Sequence, residues 1–227
     1  MEEALVPDRG ASVSSIGDES CSPDLVLLCV PDAHVARCAA LLPRREERVV
    51  AHCAGSLELD VLGDHPRVAS VHPLVSLPDA DMGAERLVGA WFAVSGDDAV
   101  REVVLALQGT PVSVLPGKRA AYHAAAAVAS NHLVALLAEV ERIAAVAGVP
   151  LQAYLDLVKG TVENVADLGV NRALTGPVVR GDWDTVRAHL DAVGPTERDQ
   201  YLAGLAAIAA MTGRELPWAV LARESNG

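Results

Sequence analysis

The seven residues Asp24-Leu-Val-Leu-Leu-Cys-Val30, followed at once by Pro31-Asp32, set the strongest limit on what this chain can fold into. An apolar run this short, without polar alternation, predicts a strand covered on both faces. Such a strand needs helices on either side of a parallel sheet, and the next residues supply them. His34–Leu42 reads as a short amphipathic helix closed by Pro43. Arg48–Ala54 reads as the next strand, ending at Gly55-Ser56, and Leu57–Leu62 as a helical turn. Arg67–Val71 reads as a third strand ending at His72-Pro73. Gly89–Val94 and Pro111–Leu115 read as further strands around a helix over Asp97–Leu107. Alternation of this kind predicts an α/β fold with a parallel sheet.

From Lys118 the pattern changes. Arg119–Ala147 is nearly unbroken helix former, about 40 Å of helix at ~1.5 Å per residue, and Gly148-Val-Pro150 ends it. Leu151–Leu168 predicts a second helix stopped by Gly169, and a Gly/Pro-containing loop follows over Leu174–Asp182. Asp182 is placed to cap a helix over Trp183–Val193, and Pro195 opens a last helix over Thr196–Thr212, where its missing N–H costs little. The expected division is a sheet domain over 1–116 and a helical domain over 117–227, joined through Pro116-Gly117. With 51% apolar residues but one Phe, three Tyr and three Trp, the core must be aliphatic.

A net charge of −12 argues against a nucleic-acid partner, which needs a basic face to neutralise phosphates. No continuous apolar run approaches the ~18 residues of a membrane span. The N-terminus is acidic, without the apolar centre of a signal peptide. Cys21, Cys29, Cys38 and Cys53 follow no metal or disulfide spacing. Cys29, inside an apolar strand, reads as a buried free thiol. The expected setting is reducing and cytoplasmic. No metal site is expected, because no His/Cys/Asp grouping has zinc spacing.

A sheet domain followed by an alanine-rich helical domain is the layout of small NAD(P)-dependent reductases, whose first strand runs into Gly-x-Gly-x-x-Gly. This sequence contains no Gly-x-Gly. Five blocks nevertheless carry a family resemblance: Val50-Ala-His-Cys-Ala-Gly-Ser-Leu-Glu-Leu-Asp-Val-Leu62, Ser70-Val-His-Pro-Leu74, Tyr122–Leu136, Thr161–Leu168 and Leu174–Asp182. In that order they resemble the Rossmann-like family with domain of unknown function 2520. That family is related to ketopantoate reductase, pyrroline-carboxylate reductase and the deazaflavin-dependent NADP oxidoreductases.

The resemblance implies an NADP (or NAD) cofactor and reduction of a C=O or C=N bond in a small, anionic substrate. It also implies homodimerisation through the helical domain. Family members open with a strand, the glycine-rich turn, a helix and a second strand. Here Ala11–Ile16 reads as the remainder of the next helix and strand. The expected fold is an incomplete, truncated Rossmann-like sheet followed by an all-α dimerisation domain. The absent turn sets against cofactor binding, and a non-catalytic helical dimer or small-acid-binding protein stands as the alternative.

Within that frame, three strand ends deliver small or polar residues to one edge. Val30, Pro31 and Asp32 with Gly55 and Ser56 are the expected cofactor contacts, and His72 an expected substrate contact. The other reading of Pro-Asp and Gly-Ser is simple turn chemistry. On the long helix His123, Ser130 and Asn131 stand at i, i+7 and i+8, one face of a regular helix, while Tyr122 and His132 project away from that line. An imidazole there can supply the proton that accompanies hydride delivery, with Ser130 and Asn131 orienting the substrate. A histidine satisfied within the core is the competing reading. Thr175 and Arg180 are candidates to hold an anionic substrate group, since Arg binds carboxylates in a fork. A local cap or ion pair is the alternative for Arg180. His52 alternates with apolar neighbours and is expected to face packing.

Overall fold

The computed structural model describes residues 24–218. The segment read as helix and strand remnant over Ala11–Ile16, Cys21 and the tail at Glu224–Gly227 lie outside the described residues. The chain forms two compact units that meet between Ser130 and Asn131. The first turns of the long helix therefore belong with the sheet, because their side chains contact it.

In the first unit, β1 (Leu25–Leu28), β2 (Val49–His52), β3 (Arg67–Pro73), β4 (Trp91–Gly96) and β5 (Thr110–Ser113) form one five-stranded sheet in sequential order. β1, β2 and β3 run parallel, with Leu28 opposite His52 and His52 opposite Ser70. β4 runs antiparallel to β3, and β5 parallels β4. The sheet is thus mostly parallel, as expected, but its last two strands are inverted. Their C-terminal ends do not join the edge formed by β1, β2 and β3.

Side chains alternate across β2, and each face has its own core. Val49 and Ala51 pack with Ala69, Val71, Phe92 and Val94, and α3 (Ala99–Ala106) covers them with Val100 and Val104. Val50 faces the other way, onto Leu28, Val35 and Ala39 of α1 (Asp32–Ala40), and Leu62 of a 3₁₀ turn over Leu59–Leu62. Each fully buried valine contributes about 1.5–3 kcal/mol. Helix α2 (Ala80–Leu87) is absent from the sequence reading; Asp79 caps it by accepting from the Met82 N–H at 2.9 Å. β1 stops one residue before Cys29, which is exposed rather than buried as its apolar neighbours suggested.

The helical run begins as α4 (Arg119–Ala127), passes through a π-helical turn at Val128–His132 and continues as α5 (Leu133–Val146). By length and composition alone, Arg119–Val146 meets the requirement for a membrane crossing, with a window hydropathy of 1.2. The sequence reading missed this because alanine and few charges raise the mean without a continuous apolar run.

The second unit continues with α6 (Leu151–Leu168), α7 (Val170–Ala173), α8 (Pro177–Arg180), α9 (Trp183–Ala192) and α10 (Pro195–Thr212). Val178, Val186, Leu190, Leu205 and Ala209 form its core. Asp182 caps α9 as the sequence indicates, accepting from the Thr185 N–H at 3.1 Å. An Arg142–Glu197 pair at 2.8 Å joins α5 to α10.

Candidate functional site

Where β1 and β2 end, the chain turns polar, and the two ends are tied together. Ser56 donates its hydroxyl proton to Asp32 Oδ2 at 2.9 Å. Asp32 opens α1, whose first turn has no glycine and no side-chain cap. That helix start carries a carboxylate, so it disfavours a phosphate. Val30 and Pro31 lie between β1 and α1.

The start of the long helix approaches the same sheet edge. His72, near the end of β3, has Nδ1 2.7 Å from the Tyr122 hydroxyl, and the rings meet edge to face with centroids 5.6 Å apart. His123 stands against the same imidazole, centroids 5.8 Å apart at an interplanar angle of 81°. Gly55 permits this arrangement. A Cβ at residue 55 would lie 2.5 Å from His123 Nδ1 and 2.8 Å from His72 Nε2. The two imidazoles occupy the space that any other residue would fill.

Arg119 lies beneath this group, 1% exposed. Its Nη1 donates to the carbonyls of Ala54 at 3.3 Å and Gly55 at 3.4 Å, and its Nη2 donates to the Ser70 hydroxyl. Its Nε has no partner. An arginine keeps its charge in proteins, so the site contains a fixed cation held by neutral acceptors. His72 feels the result. Burial first, then His123 and Arg119, hold it down to about 4 against an opposing pull from Asp32, so it is neutral near pH 7. His52 is lowered by burial and then by Arg119. It is fully buried, as expected, with Nδ1 accepting from the Ala54 N–H at 3.2 Å. That bond places the proton on Nε2, which has no partner. Burial raises the Tyr122 hydroxyl. The hydroxyl therefore keeps its proton, and a neutral phenol faces a neutral imidazole. Such a pair can hold or pass a proton, while the cation nearby favours developing negative charge.

The structure brings His72, His123 and Gly55 together and joins Asp32 to Ser56. Ser130 and Asn131 fall in the π turn, where the wider i→i+5 winding abolishes the regular helical register. The i, i+7, i+8 spacing presumes a regular α-helix, which does not continue through these two positions. Asn131, Thr175 and Arg180 belong to the second unit. Thr175 is exposed just before α8, and Arg180 is its exposed last residue.

Sequence reasoning missed Tyr122 and Arg119. Tyr122 was set aside because it lies off the His123 line, yet His72 meets both neighbours. Arg119 read only as the start of a helix. The available signal was a long cationic side chain at the first turn of an otherwise alanine-rich segment.

Comparison with known proteins is consistent with this architecture. No curated protein matches the chain at a significant level. Protein TM1727 from Thermotoga maritima shares 27% identity at a TM-score of 0.70, covering 84% of this chain and 79% of its own. A candidate NADP oxidoreductase from Bacteroides fragilis, BF3122, shares 20% identity at 0.68, covering 82% of this chain and 75% of its own. Pyrroline carboxylate reductase from Plasmodium falciparum, solved with NADP bound, shares 11% at 0.53, covering 83% and 77%. These likenesses establish a Rossmann-like fold. The profile of the domain of unknown function DUF2520 matches residues 91–207, just over half of the chain, and the protein belongs to that family.

Proposed function

We propose that this protein is an NAD(P)-dependent reductase acting on a C=O or C=N bond of a small, anionic metabolite. The observation that carries this reading is the meeting of His72, Tyr122 and His123 over Gly55, beside the ends of β1 and β2. The fold shared with an NADP-bound pyrroline carboxylate reductase supports the cofactor class.

The residues fit the nicotinamide end of such a cofactor better than its phosphates. Val30, Pro31, Gly55 and Ser56 offer backbone and small polar groups, whereas the start of α1 is acidic. A bound nicotinamide cofactor supplies the hydride. The protein's part is proton management. Tyr122 or His123 donates the proton that completes the reduced O–H or N–H, and His72 orients Tyr122 through Nδ1. Arg119 supplies positive potential for an oxyanion without itself leaving the core.

The second unit's surface supports a homodimer as part of this reading. No residue of α6 is buried, and Leu157 and Val162 are 65% and 57% exposed. On α5, Val134 is 66% exposed. Apolar helix faces of this kind fit a second copy of the chain.

The buried cation Arg119, held by neutral acceptors beneath His72 and Tyr122, favours a second reading, a small-acid binder without redox chemistry. Fluorescence titration with NADPH tests the two. Saturable binding that weakens in Ser56→Ala supports the reductase. No binding at millimolar cofactor, with binding of small carboxylic acids retained, supports the alternative.

A further inference from the structure

Cys29 and Cys53 occupy equivalent places one residue beyond the ends of β1 and β2. Leu28 pairs with His52, and the Cys53 N–H continues the ladder to the Leu28 carbonyl at 3.4 Å. Their sulfurs are 3.6 Å apart. Adjacent strands lie about 4.8 Å apart, within the roughly 4.4–6.8 Å window of Cα separations that a disulfide spans. Bond formation therefore needs small side-chain rotations and no strand movement. Cys29 is exposed and Cys53 half-buried, so one thiol meets solvent while its neighbour waits behind it.

We infer that Cys29 and Cys53 form a reactive thiol pair that low-molecular-weight disulfides oxidise to an intrachain disulfide, fastening β1 to β2 at the candidate site. Cys29 is the attacking sulfur. Hydrogen bonding from Cys53 outweighs burial and holds Cys29 down to about 6, while the same bond and burial raise Cys53. The Cys29 thiolate attacks one sulfur of the oxidant, breaking its S–S bond and expelling one thiolate, which takes up the Cys29 proton. The Cys53 thiol then loses its proton and attacks Cys29 Sγ, expelling the second thiolate. Two protein thiols are oxidised, and one small disulfide is reduced to two thiols. The new bond sits three residues before Asp32 on one strand and three before Ser56 on the other. It clamps the two ends already joined by the Asp32–Ser56 hydrogen bond.

The test uses the full chain with glutathione disulfide, followed by alkylation of remaining thiols, intact mass and peptide mapping. The expected product is a Cys29–Cys53 linked peptide, formed equally in a Cys21→Ser, Cys38→Ser double variant. Cys53→Ser should instead trap glutathione on Cys29, at about tenfold or more the level in the unaltered chain, because no second thiol resolves it. A linked peptide joining other cysteines, equal glutathione retention in both chains, or no reaction at Cys29 would overturn the inference. NADPH titration of the reduced protein reads the reductase proposal separately, so the two fail independently.

Discussion

The Tyr122 hydroxyl sits 2.7 Å from Nδ1 of His72, linking the first turn of the long helix to the end of β3. The contact joins residues fifty positions apart and orients one imidazole between a phenol and a second imidazole. With both groups neutral, the bond has two forms: the phenol donates to Nδ1, or Nδ1–H donates to the phenol oxygen. Either form leaves His72 Nε2 on the Gly55 side, close to His123.

Replacing Tyr122 with Phe removes one partner of this half-buried bond and leaves His72 Nδ1 without it. The expected cost is about 1 kcal/mol in urea unfolding, with a changed ¹⁵N shift for His72 Nδ1. An unchanged imidazole spectrum would mean the bond is absent in solution.

Acid should weaken the fold through His72. Its folded value of about 4 lies below its ordinary 6.5, so between these values the unfolded chain binds more protons. Stability is complete above about pH 6.5 and declines toward about pH 4, where this contribution levels off. His52 adds to the same decline. Asp97, held down by its Arg67 bond, acts only below its ordinary 3.8. Urea unfolding at a series of pH values should show a shallower slope in His72→Gln.

Removing the buried cation should release His72. In Arg119→Leu the imidazole loses the repulsion of that charge, though not its burial or His123. Its midpoint in an NMR titration should rise. A fall, in a variant that keeps the native spectrum elsewhere, would show that Arg119 does not act on His72.

Gly55→Ala should disturb the site more than the fold. The added methyl overlaps both imidazoles and should cost about 1–3 kcal/mol. Shifts should concentrate at His72, Tyr122 and His123. A stability change below experimental error would contradict the close approach.

Leu157→Glu places a charge on the exposed apolar face of α6. Light scattering behind size exclusion should read dimer for the parent and monomer for the variant at micromolar concentration. A monomeric parent would remove the proposed dimer.

Strands that carry continuous Val, Leu and Ala were legible, because helix-covered parallel strands leave that pattern. The last helices were legible from Gly169, Asp182 and Pro195. The inversion of β4 was not, since strand direction depends on pairing partners rather than on composition. The π turn was equally invisible: Ser130 and Asn131 are weak helix formers, but nothing in Val128–His132 specifies i→i+5 winding, and the sequence reading carried 3.6-residue periodicity straight across them. Gly55, His72 and His123 stood out as polar or small residues against an aliphatic background. Tyr122 and Arg119 did not, because their importance arises from long-range contacts with His72, Ala54 and Ser70 that spacing along one helix does not encode.

The most direct measurement is residue-resolved NMR of the ¹⁵N-labelled chain titrated with NADPH. Saturable shifts confined to Val30–Asp32, Gly55–Ser56, His72 and Tyr122–His123 are the expected result. Saturable shifts elsewhere in the chain, or none at millimolar NADPH, would contradict a nicotinamide site at this edge.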